Sequence, residues 1–193
     1  MEFPMQPVLL TIPSLIFIIV NRIRKQDWDL ILFKIGLKFP SINYLAIGLG
    51  LGLVSGLFSF FTPNMLPQEI FDQPGIAQSF YTNWSLSIST FFLAFLREAI
   101  YVAFGEEIFF RGFLGGILFR KFGFIIGNIF QSIIFLLPHL LLLMVSLKLW
   151  PILIAQFIGG WLFGWLFYKS ESILPSWLAH SLSNAFGAMM FMS

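Results

Sequence analysis

Glu106 and Glu107 stand side by side, Arg111 follows four residues after the second, and the chain's only two histidines are His139 and His180. On a helix, Arg111 shares a face with Glu107, so the two can pair as guanidinium and carboxylate. Glu106 points about 100° away around the helix and has no such local partner. A carboxylate in a dry cavity can take a proton from water near neutrality, as a general base must. His139 directly follows Pro138 and lies one turn beyond Phe135. That proline cannot donate to the Ile134 carbonyl, which predicts a bend and a freed acceptor beside the histidine. His180 and Asn184 are again four apart and can donate together to one oxygen, the geometry of an oxyanion-stabilising pair. Base, imidazoles and oxyanion donors together suit hydrolysis of an acyl bond. Each element also has a plainer reading: an ordinary helical ion pair, a histidine at the membrane interface, and polar contacts between packed helices.

The elements that must position these groups are membrane helices. Hydrophobic residues make up 58% of the 193 and charged residues only 10%, with a mean hydropathy of +0.89. So few charges cannot hydrate the surface of a soluble domain, which carries roughly a quarter charged residues. There is no cysteine, which excludes disulfides, thiolate catalysis and cysteine-ligated metal clusters. Windows of about 20 apolar residues give about six membrane segments: 7–20, 42–62, 84–104 continuing toward 112, 122–145, 151–167 and 173–191. The first is short for a full crossing. The second carries Gly48, Gly50, Gly52 and Gly56, which permit close helix contact. Residues 63–83 read as a loop. The fold class is thus all-α, a polytopic transmembrane helical bundle.

Arg22, Arg24, Lys25, Lys34 and Lys38 lie between the first two segments, whereas the loop after the second holds Glu69 and Asp72 and no base. The positive-inside rule therefore puts 21–40 in the cytoplasm, together with Arg111, Arg120, Lys121 and Lys169, with Lys148 the exception. Ionisable groups inside such spans are costly unless they face a protein interior or a cavity, so they mark the place to look for chemistry. Depth poses a difficulty: a straight helix from Phe122 carries His139 roughly 25 Å from the side on which a third helix ending near Gly112 would leave Glu106.

Glu-Glu-x-x-x-Arg at 106–111, Phe-x-x-x-His at 135–139 and His-x-x-x-Asn at 180–184, in that order in a polytopic chain, resemble the CPBP family of intramembrane proteases. This is the CAAX prenyl protease and bacteriocin-processing family, also called Abi. Arg111-Gly112, the stretch from Gly159 to Gly164, Tyr168, and Ile173-Leu174-Pro175 leading to Ala179-His180 agree with it. The resemblance covers about 87–191. Leu136, Leu137 and Pro138 depart from it, standing where many relatives have small residues.

The resemblance implies a CAAX-protease-like catalytic membrane domain over 84–193, preceded by variable membrane segments and an extracytoplasmic loop over 1–83. It implies that Glu106 and His139 activate the hydrolytic water, that His180 and Asn184 stabilise the oxyanion, and that Glu107, Arg111 and Phe135 orient them. The expected activity is an intramembrane endopeptidase acting on a membrane-associated substrate, prenylated CAAX proteins being the substrate class of some relatives. The family is named as metalloproteases, so Glu106, His139 and His180 are the expected ligands if zinc is used, and a metal-free glutamate mechanism is the other option. The expected partners are a membrane-associated peptide or protein and the lipid bilayer, with no nucleic acid. The expected location is the cell membrane, multi-pass, with the site opening toward the cytoplasm. Two other functions compete: a non-catalytic immunity or peptide-binding protein on the same scaffold, and a small transporter, for which no inverted repeat is visible.

Overall fold

The computed structural model describes residues 5–61 and 80–192, so most of the loop expected over 63–83 lies outside the described residues. All ordered elements among them are helical. They are α1 (Met5–Ile23), α2 (Trp28–Lys34), α3 (Ile42–Phe61), α4 (Ile88–Glu98), α5 (Phe104–Glu106), α6 (Gly116–His139), α7 (Leu142–Val145), α8 (Trp150–Ser170) and α9 (Leu174–Met189). Among the described residues, four stretches are long and apolar enough to cross a membrane: Met5–Ile23, Ile42–Phe61, Ile88–Val145 and Leu147–Ser170. The chain is therefore a multi-pass membrane protein. α1 runs two to three residues further at each end than expected and reaches spanning length, whereas α9, at 16 residues, is shorter than the expected last segment.

α4 starts where a capping box forms: Ser87 Oγ accepts from the Thr90 amide and Thr90 Oγ1 accepts from the Ser87 amide. Trp84, expected inside the span, lies in the turn before it. From Ile88 the chain stays helical to Phe122, but Ala99–Ala103 and Glu107–Gly115 are π-helical, so the turns on both sides of Glu106 are widened. Such wide turns are frequent at functional sites, where the extra residue per turn re-aims side chains. The reversal comes at Gly123, whose φ of 74° suits glycine. Gly127 then passes within 2.9 Å of the Leu118 carbonyl, measured from where a Cβ would sit, so the two arms close tightly.

This turn removes the depth difficulty. Glu106 lies seventeen residues before Gly123 and His139 sixteen after it, so the two arms return both to nearly the same height. The expected bend at Pro138 is replaced by a helix end: α6 closes one residue later, at His139, and the non-helical residue within it is Gly123.

α3 packs along α9 through a glycine stripe of period four. A Cβ on Gly48 would stand 2.5 Å from the Pro175 carbonyl oxygen, one on Gly52 2.9 Å from Ala179 Cα, and one on Gly56 2.5 Å from the Phe186 ring. Gly50, off that stripe, would meet nothing within 4 Å. In lipid there is little hydrophobic drive between helices, so this close approach supplies the packing that holds α9, and His180 on it, against the bundle.

Candidate active site

Glu107 and Arg111 are both fully buried, and Arg111 Nη1 lies 2.9 Å from Glu107 Oε1. The guanidinium carbon sits 4.3 Å from the centre of the Phe135 ring and 5.6 Å from that of Phe163, so the rest of its charge faces aromatic surfaces. Arg111, expected among the cytoplasmic flanking charges, is thus part of the interior. The same Glu107 oxygen accepts from His180 Nδ1 at 2.9 Å. That hydrogen bond turns the other ring nitrogen, Nε2, toward Glu106, whose Oε2 is 3.8 Å away. A gap of that size between two polar atoms is one that a water can bridge. Glu106 Oε2 is buried and has no hydrogen-bond partner, while Oε1 accepts from Gln6 Nε2 at 2.7 Å. Each glutamate is thus held through Oε1, Glu107 by a cation and an imidazole and Glu106 by a neutral amide; among the described residues the Oε2 of both is buried without a hydrogen-bond partner, and that of Glu106 is the one that faces His180 Nε2.

Phe135 links the two histidines. Its ring centre is 4.8 Å from that of His139 and 6.3 Å, edge-on, from that of His180. His139 Nδ1 donates to the Phe135 carbonyl at 2.9 Å, not to the Ile134 carbonyl that Pro138 frees, which leaves Nε2 available. The ring lies within electrostatic range of Glu106, His180 and Arg111 but makes no direct bond to them.

Asn184 belongs to a neighbouring polar group. Its Nδ2 donates to Glu98 Oε2 at 3.3 Å, and Glu98 Oε1 accepts from Tyr81 at 2.5 Å and from Arg97 at 2.9 Å. Arg97 also stacks 4.0 Å above the Phe80 ring. The Tyr81 hydroxyl is pushed well above its ordinary value, first by burial and then by the nearby Glu98 charge.

The structure therefore brings Glu106, Glu107, Arg111, Phe135 and His180 into one cluster, sets His139 at its edge, and ties Asn184 one turn along α9 to Glu98. Sequence reasoning did not assign Gln6 or Glu98 to the site. Glu98 was visible as an ionisable residue in an apolar helix; Gln6, a hundred residues from its partner, gave no signal. The zinc expectation fares differently. No group of three histidine, aspartate or glutamate side chains among the described residues is placed to hold a metal ion. Glu106, His139 and His180 are thus not gathered as a three-donor zinc site.

Residues 88–186, just over half of the chain, match the family model described as type II CAAX prenyl endopeptidase Rce1-like. The chain belongs to this Rce1-like family. The matched segment contains all of Glu106, Glu107, Arg111, Phe135, His139, His180 and Asn184, and it leaves out α1 and α3. No curated protein and no solved structure matches the chain. In this Rce1-like chain, a buried cluster of acids, arginine and histidine inside the matched segment is consistent with catalysis of the kind the family name describes.

Proposed function

We propose that this protein is an intramembrane endopeptidase that hydrolyses a peptide bond near the C-terminus of a membrane-associated, prenylated CAAX-type substrate. The observation that carries the reading is the open, buried Oε2 of Glu106 facing His180 Nε2 at 3.8 Å, with His180 held from behind by the Glu107–Arg111 pair. The catalytic unit is the membrane domain over 84–193, preceded by the membrane segments and loop of 1–83, and the site opens to the cytoplasmic side.

Water bound against Glu106 Oε2 gives up its proton to that carboxylate, with His139 Nε2 as a second acceptor, while its oxygen attacks the scissile carbonyl. A C–O bond forms and the carbonyl electrons move to oxygen. His180, when it carries its second proton, donates Nε2–H to that oxyanion. Asn184 offers the amide hydrogen that Glu98 does not use. Collapse breaks the C–N bond, and Glu106 returns the proton to the leaving nitrogen. Glu107 and Arg111 keep the imidazole oriented throughout, as the carboxylate behind a catalytic histidine does elsewhere.

The test is cleavage of a farnesylated CAAX peptide by the purified full chain in water enriched in oxygen-18. One heavy oxygen should appear in the new carboxylate, and the Glu106→Gln variant should release no product. Binding of the peptide without cleavage would instead favour the non-catalytic immunity or peptide-binding reading.

A further inference from the structure

We infer that Gln6 is a positioning residue for Glu106, so that a helix outside the family-matched segment completes the site; the inference rests on the proposed role of Glu106 as base. Gln6 Nε2 donates to Glu106 Oε1 at 2.7 Å, and Glu106 is only 6% exposed. Three further contacts set α1 alongside the widened helix. Pro7 lies against Gly105, where a Cβ would stand 2.6 Å from Pro7 Cα. Ser14 Oγ donates to the Ile108 carbonyl at 3.1 Å, and Phe17 meets Phe113 edge-on at 6.0 Å between ring centres. Gln6 is thus delivered by a docked helix, in register with Gly105 and Ile108 on either side of its target.

The chemistry follows from what a carboxylate needs. Its terminal torsion is broad and roughly two-fold, so an unanchored Glu106 would spread its two oxygens over many directions. An amide donor on Oε1 fixes the plane of the group and leaves Oε2 toward His180 Nε2. A lysine or arginine in the same place would neutralise the base by ion pairing, whereas a glutamine anchors it without a charge. The anchoring acts on how the base meets water and leaves the binding of substrate aside, so it should show in kcat and not in KM.

The experiment compares Gln6→Met, Gln6→His and Glu106→Gln in the full chain reconstituted in detergent, with a farnesylated CAAX peptide as probe. Methionine keeps the length and packing without the donor. A histidine Nε2–H reaches nearly the position of the glutamine amide. Gln6→Met should lose about tenfold in kcat with KM unchanged, the scale of one hydrogen bond to a charged group, and Gln6→His should recover most of it. Wild-type kcat in Gln6→Met, alongside an inactive Glu106→Gln, overturns this inference and leaves the hydrolytic reading standing. A rise in kcat overturns it too, because the contact would then be blocking the base. Full turnover by Glu106→Gln overturns both. A double-mutant cycle on melting temperature needs no turnover: Gln6→Met and Glu106→Ala, which removes the acceptor, should shift it less together than the sum of each alone, and strict additivity would rule out the contact itself.

Discussion

Neighbouring glutamates acquire different work from different surroundings. Glu107 shares one oxygen between Arg111 and His180 in a site closed to solvent, whereas Glu106 is held by a neutral amide and turns its other oxygen toward His180 Nε2. Arg111→Ala strands Glu107 as an uncompensated buried charge, at a cost of about 3–5 kcal/mol for a fully buried pair. Its melting temperature in detergent should fall together with its activity, whereas Glu106→Gln should melt as the wild type does. The Glu107–Arg111 pairing was readable from four-residue spacing. The tie of Asn184 to Glu98 was not, since both were visible as polar residues but nothing local joins positions 86 apart. Tyr81 gives a pH test. The folded protein keeps its proton above the ordinary tyrosine value of 10.0, so this contribution to stability is full below that pH and lost as pH rises past it. Melting temperature followed through that range should drop more steeply in the wild type than in Tyr81→Phe.

Among the elements, hydropathy gave the helices and missed how they are joined. The continuation of the third segment to Phe122, the π-helical turns about Glu106 and the reversal at Gly123 were not read, because the pattern of side chains carries no sign of one extra backbone residue per turn. The glycines of α3 were legible as a close-packing surface, but only the structure separates Gly48, Gly52 and Gly56 from Gly50. Gly52→Ala should lower the melting temperature and the activity, because the added carbon meets Ala179 one residue before His180. Gly50→Ala meets open space and should be neutral or gain up to about 1 kcal/mol from helix propensity. Thermal unfolding of both variants in one detergent checks the pair.

Across the molecule, the basic segments gather at one end. Arg120 Nη1 donates to the Lys34 carbonyl at 2.9 Å, Ile173 N to the Gly36 carbonyl at 3.0 Å, and Lys38 pairs with Glu171. His180 lies seven residues beyond Ile173, roughly 10 Å into the bundle from that end. Because the chain has no cysteine, single cysteines placed at Lys25 and Leu147 should be labelled by a membrane-impermeant maleimide from opposite sides, Lys25→Cys from the cytoplasm. Class and motif order could be read from composition and spacing; the assembly of the site depended on contacts between helices that no local pattern records. The most direct test of hydrolysis by Glu106 is turnover of a farnesylated CAAX peptide by purified wild type and Glu106→Gln at matched melting temperature. The account predicts cleavage by the wild type and none above background by the variant; equal rates from the two would contradict it.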